Sequence, residues 1–134
     1  MITNTGRTMI TSQVASVSAQ PAAVKWMAIT TDATAAAATD TTLASEIATA
    51  GGGLIRAAIG SITYSGASGS NVVTMVQAFT VNASDTGLPV SIAKFGCFNA
   101  ASAGTMAFEF KFAAVATVNA IGDAVTITEV VTFS

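Results

Sequence analysis

The sequence has no histidine, and only 9% of its residues are charged, against roughly 25% in an ordinary soluble domain. Without histidine, Ser-His-Asp and Cys-His catalysis, the commonest proton shuttle and most zinc sites are excluded. Cysteine occurs once, at Cys97, so no intrachain disulfide can form and the fold needs no oxidising compartment. The five cations, Arg7, Lys25, Arg56, Lys94 and Lys111, are dispersed along 134 residues with a net charge of -2. Such spacing makes no basic patch, and nucleic acid is not an expected partner. No apolar run approaches the roughly 18 residues of a membrane helix, although mean hydropathy is +0.64. The aromatics are too few for the two girdles of a membrane barrel, so no membrane is expected. The opening MITNTGRTMITSQVAS lacks the charged and apolar regions of a signal peptide. Synthesis in the cytoplasm as a soluble chain is expected.

Alanine, threonine, serine and glycine take the place of the missing charge. Residues 57–84 carry no charged side chain at all. A free monomer of this kind would have little colloidal protection, and its strand edges would invite pairing. The reading that follows is a surface largely covered by other subunits.

Strand signals dominate. Residues 95–112 read FGCFNAASAGTMAFEFKF, two apolar arms around a small-residue turn. Met106, Phe108, Phe110 and Phe112 alternate with Glu109 and Lys111 in the second arm, the pattern of a β-hairpin with one hydrophobic face. Residues 24–30 (VKWMAIT) form the first strand, with Trp26 and Ala28 facing one way and Lys25, Met27 and Ile29 the other. Residues 54–65 make a strand bent or bulged at Gly60, and 66–70 a hairpin loop. In 71–82, Val73, Met75, Phe79 and Val81 share a face. A turn at 85–89 leads to 90–99, the hairpin's first arm. After a turn at 119–123, residues 124–133 close the chain with Val125, Ile127, Glu129, Val131 and Phe133 on one face. A helix is expected after Asp40 as N-cap, with Leu43 and Ile47 on one side and the Gly51-Gly52-Gly53 triplet ending it. Residues 5–16 fit either a short helix carrying Met9, Ile10 and Val14 or an extended arm. The expectation is a mainly β chain: an antiparallel β-sandwich or jelly-roll-like domain over residues 24–134, with one or two short helices near the N-terminus, and residues 1–23 as an N-terminal arm or short helix.

No constellation for catalysis emerges, and no enzyme activity, cofactor or metal is expected. Cys97, between Gly96 and Phe98, reads as a small core hydrophobe. Asp32, Asp40 and Glu46 have no calcium-loop spacing and read as capping and solubility residues. Gly51-Gly52-Gly53 fits neither phosphate-loop pattern. Asn82-Ala83-Ser84 matches the glycosylation sequon, which without a signal peptide stays unmodified. Glu129 reads as a sheet-margin carboxylate. Trp26 and Tyr64 read as core aromatics, the other reading being a sugar platform.

Three segments together resemble small virion structural proteins of tailed bacteriophages. They are Lys25-Trp26-Met27-Ala28-Ile29 with the later ATDTTLASEI stretch, the Gly-rich exit leading through Arg56 into a strand, and FGCFNAA…GTM followed by the Thr/Val-rich closing strand after Gly122-Asp123. The resemblance implies a capsid decoration (cement) protein that binds the major capsid protein lattice and stabilises the head. It further implies self-association, with a trimer favoured over a dimer, and a place on the capsid surface of the virion. A tail-fibre or baseplate module for host attachment is the alternative within that family; a carbohydrate-binding β-sandwich using Trp26 or Tyr64 is the alternative outside it.

Overall fold

The computed structural model describes residues 1–15, 22–67 and 70–133. The chain is mainly β, with two antiparallel sheets packed face to face and one N-terminal helix. The elements run α1 (Asn4–Ala15), β1 (Trp26–Thr30), β2 (Ala57–Ala58), β3 (Ser61–Ala67), β4 (Ser70–Thr80), β5 (Val90–Phe98), β6 (Met106–Val118) and β7 (Ala124–Phe133). One sheet has the order β2-β1-β5-β6 and the other β3-β4-β7. The chain crosses between them after β2, β4 and β6. The expected bend at Gly60 is the first crossing: Ile59 still donates to the Lys25 carbonyl at 2.9 Å, while Gly60 N–H turns to Oε1 of Gln77 at 2.8 Å.

Alternation sets the core. Met27, Ile29, Phe95, Cys97 and Phe108 from the first sheet meet Met75, Phe79, Val81 and Ile127 from the second. Phe95 stacks on Phe110 and Phe112 at 5.4 and 5.6 Å between ring centroids, so the aromatic face of the 95–112 hairpin does point inward. Ala107 is the extra residue of a bulge, because Cys97 pairs with Phe108 but Phe98 with Met106. The bulge turns Met106 to the opposite face of its sheet.

Residues 4–15 are helical, which decides between the two readings of this stretch. The Thr3 hydroxyl oxygen accepts from Gly6 N–H at 2.9 Å, the N-cap geometry, and Met9 buries in the core. Residues 1–3 run beside β6: Glu109 N–H donates to the Met1 carbonyl at 2.9 Å and Thr3 N–H to that of Ala107 at 3.0 Å. Gly6 sits so close that a Cβ there would collide with the Ala107 carbonyl.

The expected second helix is absent. Asp40 accepts from Ala37 N–H at 2.8 Å, closing the turn before it rather than capping residues after it. Ser45 adopts φ 52°, which breaks any helix through it. Leu43 and Ile47 part company as a result: Leu43 buries against Ala28, Phe98 and Met106 on the outer face of the first sheet, and Ile47 packs toward the main core. The hairpin between β3 and β4 is tighter than expected, since Gly66 and Ala67 still pair with Asn71 and Ser70; residues 68–69 of that loop lie outside the described residues, as does Ser16.

Candidate functional site

Residues 31–56 form a segment whose first part, with Arg56, makes a third layer over the outer face of the β2-β1-β5-β6 sheet, while Ile47 and Leu54 turn into the main core. Thr30 starts it: its hydroxyl donates to the Ala44 and Ser45 carbonyls, and Glu46 bridges back to Thr30. Under this layer lies the densest group of ionisable side chains among the described residues. Lys94 on β5 and Glu109 on β6 are diagonal neighbours, because Lys94 pairs with Lys111 and Glu109 with Gly96. The Lys94 ammonium contacts Glu109 at 2.9 Å and Asp32 at 2.7 Å, with side-chain exposures of only 2% for Lys94 and 1% for Glu109. It also reaches the Thr34 hydroxyl at 3.3 Å. Asp40 completes the group, beside Glu109 in a recess of about 280 Å³ lined also by Thr39, Thr41 and Thr42.

Two carboxyls thus contact one ammonium, and a third, Asp40, lies beside Glu109. Burial holds Glu109 above its usual range, opposed by Lys94 and reinforced by a hydrogen bond with Asp40. That same bond, with the Ala37 amide, lowers Asp40. Glu109 Oε2 is buried and meets no donor. Asp32 is lowered to about 2, chiefly by Lys94 and then by Thr34. Burial pulls the Lys94 ammonium down, but Asp32 and Glu109 together outweigh it and leave Lys94 raised.

The pH dependence follows from these directions. Asp32 stabilises the fold above its unfolded pKa of 3.8, and that contribution is lost as pH falls toward about 2. Lys94 contributes fully below 10.5 and loses its effect as pH rises through its raised folded value. Glu109 contributes below 4.5 and loses its effect as pH rises through its own raised value. Urea denaturation across this range is expected to show an acid limb that Asp32→Asn reduces. Glu109→Gln is expected to remove the loss that sets in above pH 4.5.

A second anchor of the same layer is Arg56. Its guanidinium pairs bidentately with Glu46, Nε–Oε1 at 2.9 Å and Nη2–Oε2 at 2.6 Å. Nη1 donates to the Ala100 and Ala103 carbonyls at 3.2 and 2.8 Å, and the plane lies 3.6 Å over the Phe98 ring. The turn of the 95–112 hairpin is therefore held from below by Arg56. No known family model matches this chain, and no curated protein matches it.

The sequence-derived candidates are distributed as follows. Cys97 is fully buried and its thiol is pushed up to about 12 by burial and the facing Glu129, so it carries no thiolate at neutral pH. Glu129 faces the space between the sheets, half-buried, and burial raises it. Trp26 packs against the Ala28–Leu43–Phe98–Met106 cluster on the outer face of one sheet. Tyr64 is on the other sheet and 80% exposed, contrary to the core reading; it lines the rim of a recess with Met9, Ile62 and Val73. The two aromatics form no shared platform. Asn82 directs its amide to the Gly51 carbonyl at 2.9 Å and accepts from Ser84 N–H at 2.8 Å. Asp32, Asp40 and Glu46 do more than solubilise, because Asp32 joins Lys94, Asp40 joins Glu109 and Glu46 joins Arg56. Lys94 and Glu109 were not singled out as site residues. For Glu109 the signal is its place between Phe108 and Phe110, opposite the aromatic face of the strand; Lys94 carries no such local signal. Among the described residues no set of His, Cys, Asp and Glu is arranged to hold a metal ion.

Proposed function

We propose that this chain is a structural component of a larger particle, a capsid decoration protein of a tailed-phage virion. In this reading it binds the assembled major capsid protein lattice, associates with further copies of itself and stabilises the head. The observation that carries the reading is the outer face of the β3-β4-β7 sheet. Register places Ser61, Val76 and Thr128 in one row and Thr63, Thr74 and Val130 in the next. All of these are at least partly exposed. Of the charged residues of the sequence only Glu129 falls in β3, β4 or β7, and it faces inward.

A flat face of hydroxyl and small apolar groups is poorly suited to free solution and well suited to burial against a neighbour, where interface cores are depleted of charge. Exposed Val130 lies on this face, and Ile121 is exposed in the turn that leads into β7. The ion cluster under residues 31–56 fits the same reading as an internal clamp: each of its charges is committed to another protein group, and the recess beside it presents no activated nucleophile. A protein that binds only the assembled lattice shifts that lattice away from disassembly by mass action.

Co-sedimentation tests this. Purified chain is expected to pellet with assembled heads of the phage that encodes it, to raise their disassembly temperature, and to leave dissociated shell subunits unbound. Binding to neither form would overturn the reading.

A further inference from the structure

The first sheet guards its edges. On one side β2 is only two residues long and Glu46 pairs with Thr30 beyond it. On the other, residues 1–3 pair along β6, and the remainder of β6 carries Lys111 and an irregular register opposite Ile92 and Lys94. Short strands, bulges and lysines are the usual protections against edge pairing.

The β7 edge has none of these. It runs for ten residues, AVTITEVVTF, in unbroken register with β4 and without proline, glycine or lysine. Val81 N–H donates to the Asp123 carbonyl at 2.8 Å, which fixes the alternation of the ladder. Counting along it, residues 125, 127, 129, 131 and 133 bond to β4, so Ala124, Thr126, Thr128, Val130 and Thr132 direct their N–H and C=O groups away from the sheet. No strand meets that edge among the described residues. The side chains of these same residues are exposed.

We infer that two copies of this chain join through antiparallel pairing of their β7 edges about a two-fold axis at Thr128, making one continuous six-stranded sheet from two three-stranded ones. The strand is self-complementary in this arrangement. Thr128 faces Thr128 of the second copy, where the two hydroxyls are within reach of each other, Thr126 faces Val130 and Ala124 faces Thr132. No like charges are directly opposite, because Glu129 faces Ile127 of the second copy. β3 is the weaker edge for this purpose. By the same alternation only Ile62, Tyr64 and Gly66 face outward there, and the glycine offers no side chain to pair. The inference stands on the edge itself: a chain that dimerises without binding heads would refute the particle reading alone, and a monomer that binds heads would refute only the dimer.

Light scattering on the eluted full chain, from low to high micromolar concentration, tests it. The expected mass is twice 13.3 kDa, and Thr128→Lys, which opposes two ammonium groups across the axis, is expected to weaken the dimer by roughly ten-fold or more. Thr128→Pro removes an outward N–H that β4 does not use and is expected to act likewise. Circular dichroism checks the fold of both; if the proline variant does not fold, the lysine variant decides. In hydrogen exchange the amides of Thr126, Thr128 and Val130 are expected to be protected in the native chain and exposed in Thr128→Lys. A native chain monomeric throughout, a trimer, or a dimer that Thr128→Lys leaves intact would overturn the inference.

Discussion

Lys94→Met is expected to lower stability by about 3–5 kcal/mol, the usual cost of stranding a buried charge by removing its partner. The substitution leaves Glu109 and Asp32 without the ammonium that both contact, in a site closed by residues 31–56. The methionine fills most of the vacated volume, so the loss comes from electrostatics and not from a cavity. Lys94→Met combined with Glu109→Leu is expected to recover much of it, because well-packed apolar pairs replace buried ion pairs at little cost. Urea denaturation of the single and double variants checks both. A single variant as stable as the native chain would mean that the cluster is open to water.

Asp85→Ala is the second large effect, at about 3 kcal/mol. The buried Asp85 carboxylate accepts from Gly53 N–H at 2.9 Å, Asn82 N–H at 2.8 Å and Leu54 N–H at 3.4 Å. It thereby ties the end of the 31–56 layer to the connection between β4 and β5. Alanine leaves these amides without an acceptor, at roughly 1–3 kcal/mol for each that stays dry. The backbone approaches closely here: a Cβ on Gly52 would strike the Asp85 carboxylate, and one on Gly53 the Thr80 carbonyl. Asp85→Asn keeps one oxygen acceptor and is expected to lose about 1 kcal/mol, the difference between a charge-assisted and a neutral bond. Thermal unfolding of both variants gives the comparison.

The strands were legible because a period of two is a strong signal wherever one face is buried. Trp26 and Ala28 do oppose Met27 and Ile29, and Met75, Phe79 and Val81 do share the core face. The 31–56 layer was not legible. Its small residues have no period, and the Asp40–Gly53 stretch imitates a capped helix closely enough to mislead. A stretch that short depends on tertiary contacts for its conformation, and here Leu43 drops onto the sheet while Ser45 turns the chain. Without that layer, nothing marks the outer face of β5 and β6 as covered, and Glu109 and Lys94 are diagonal neighbours only once the register of the two strands is known. Asp32 and Asp40 were noticed and explained locally, since nothing in the sequence shows that a loop carries them to a lysine on β5. At the N-terminus, Thr3 is a good cap, and the two readings of residues 5–16 differed only in whether a core would receive Met9.

The hairpin turn at 99–104 shows the same division. Its sequence reads as small and unreactive, while the structure adds that Arg56 grips the Ala100 and Ala103 carbonyls and stacks beneath it on Phe98.

The central claim is that this chain builds a particle. Counting its copies in purified virions by quantitative mass analysis, with immunogold labelling to place them, tests that claim most directly. Hundreds of copies spread over the head are the predicted result; a few copies confined to the tail, or none in the particle, would contradict it.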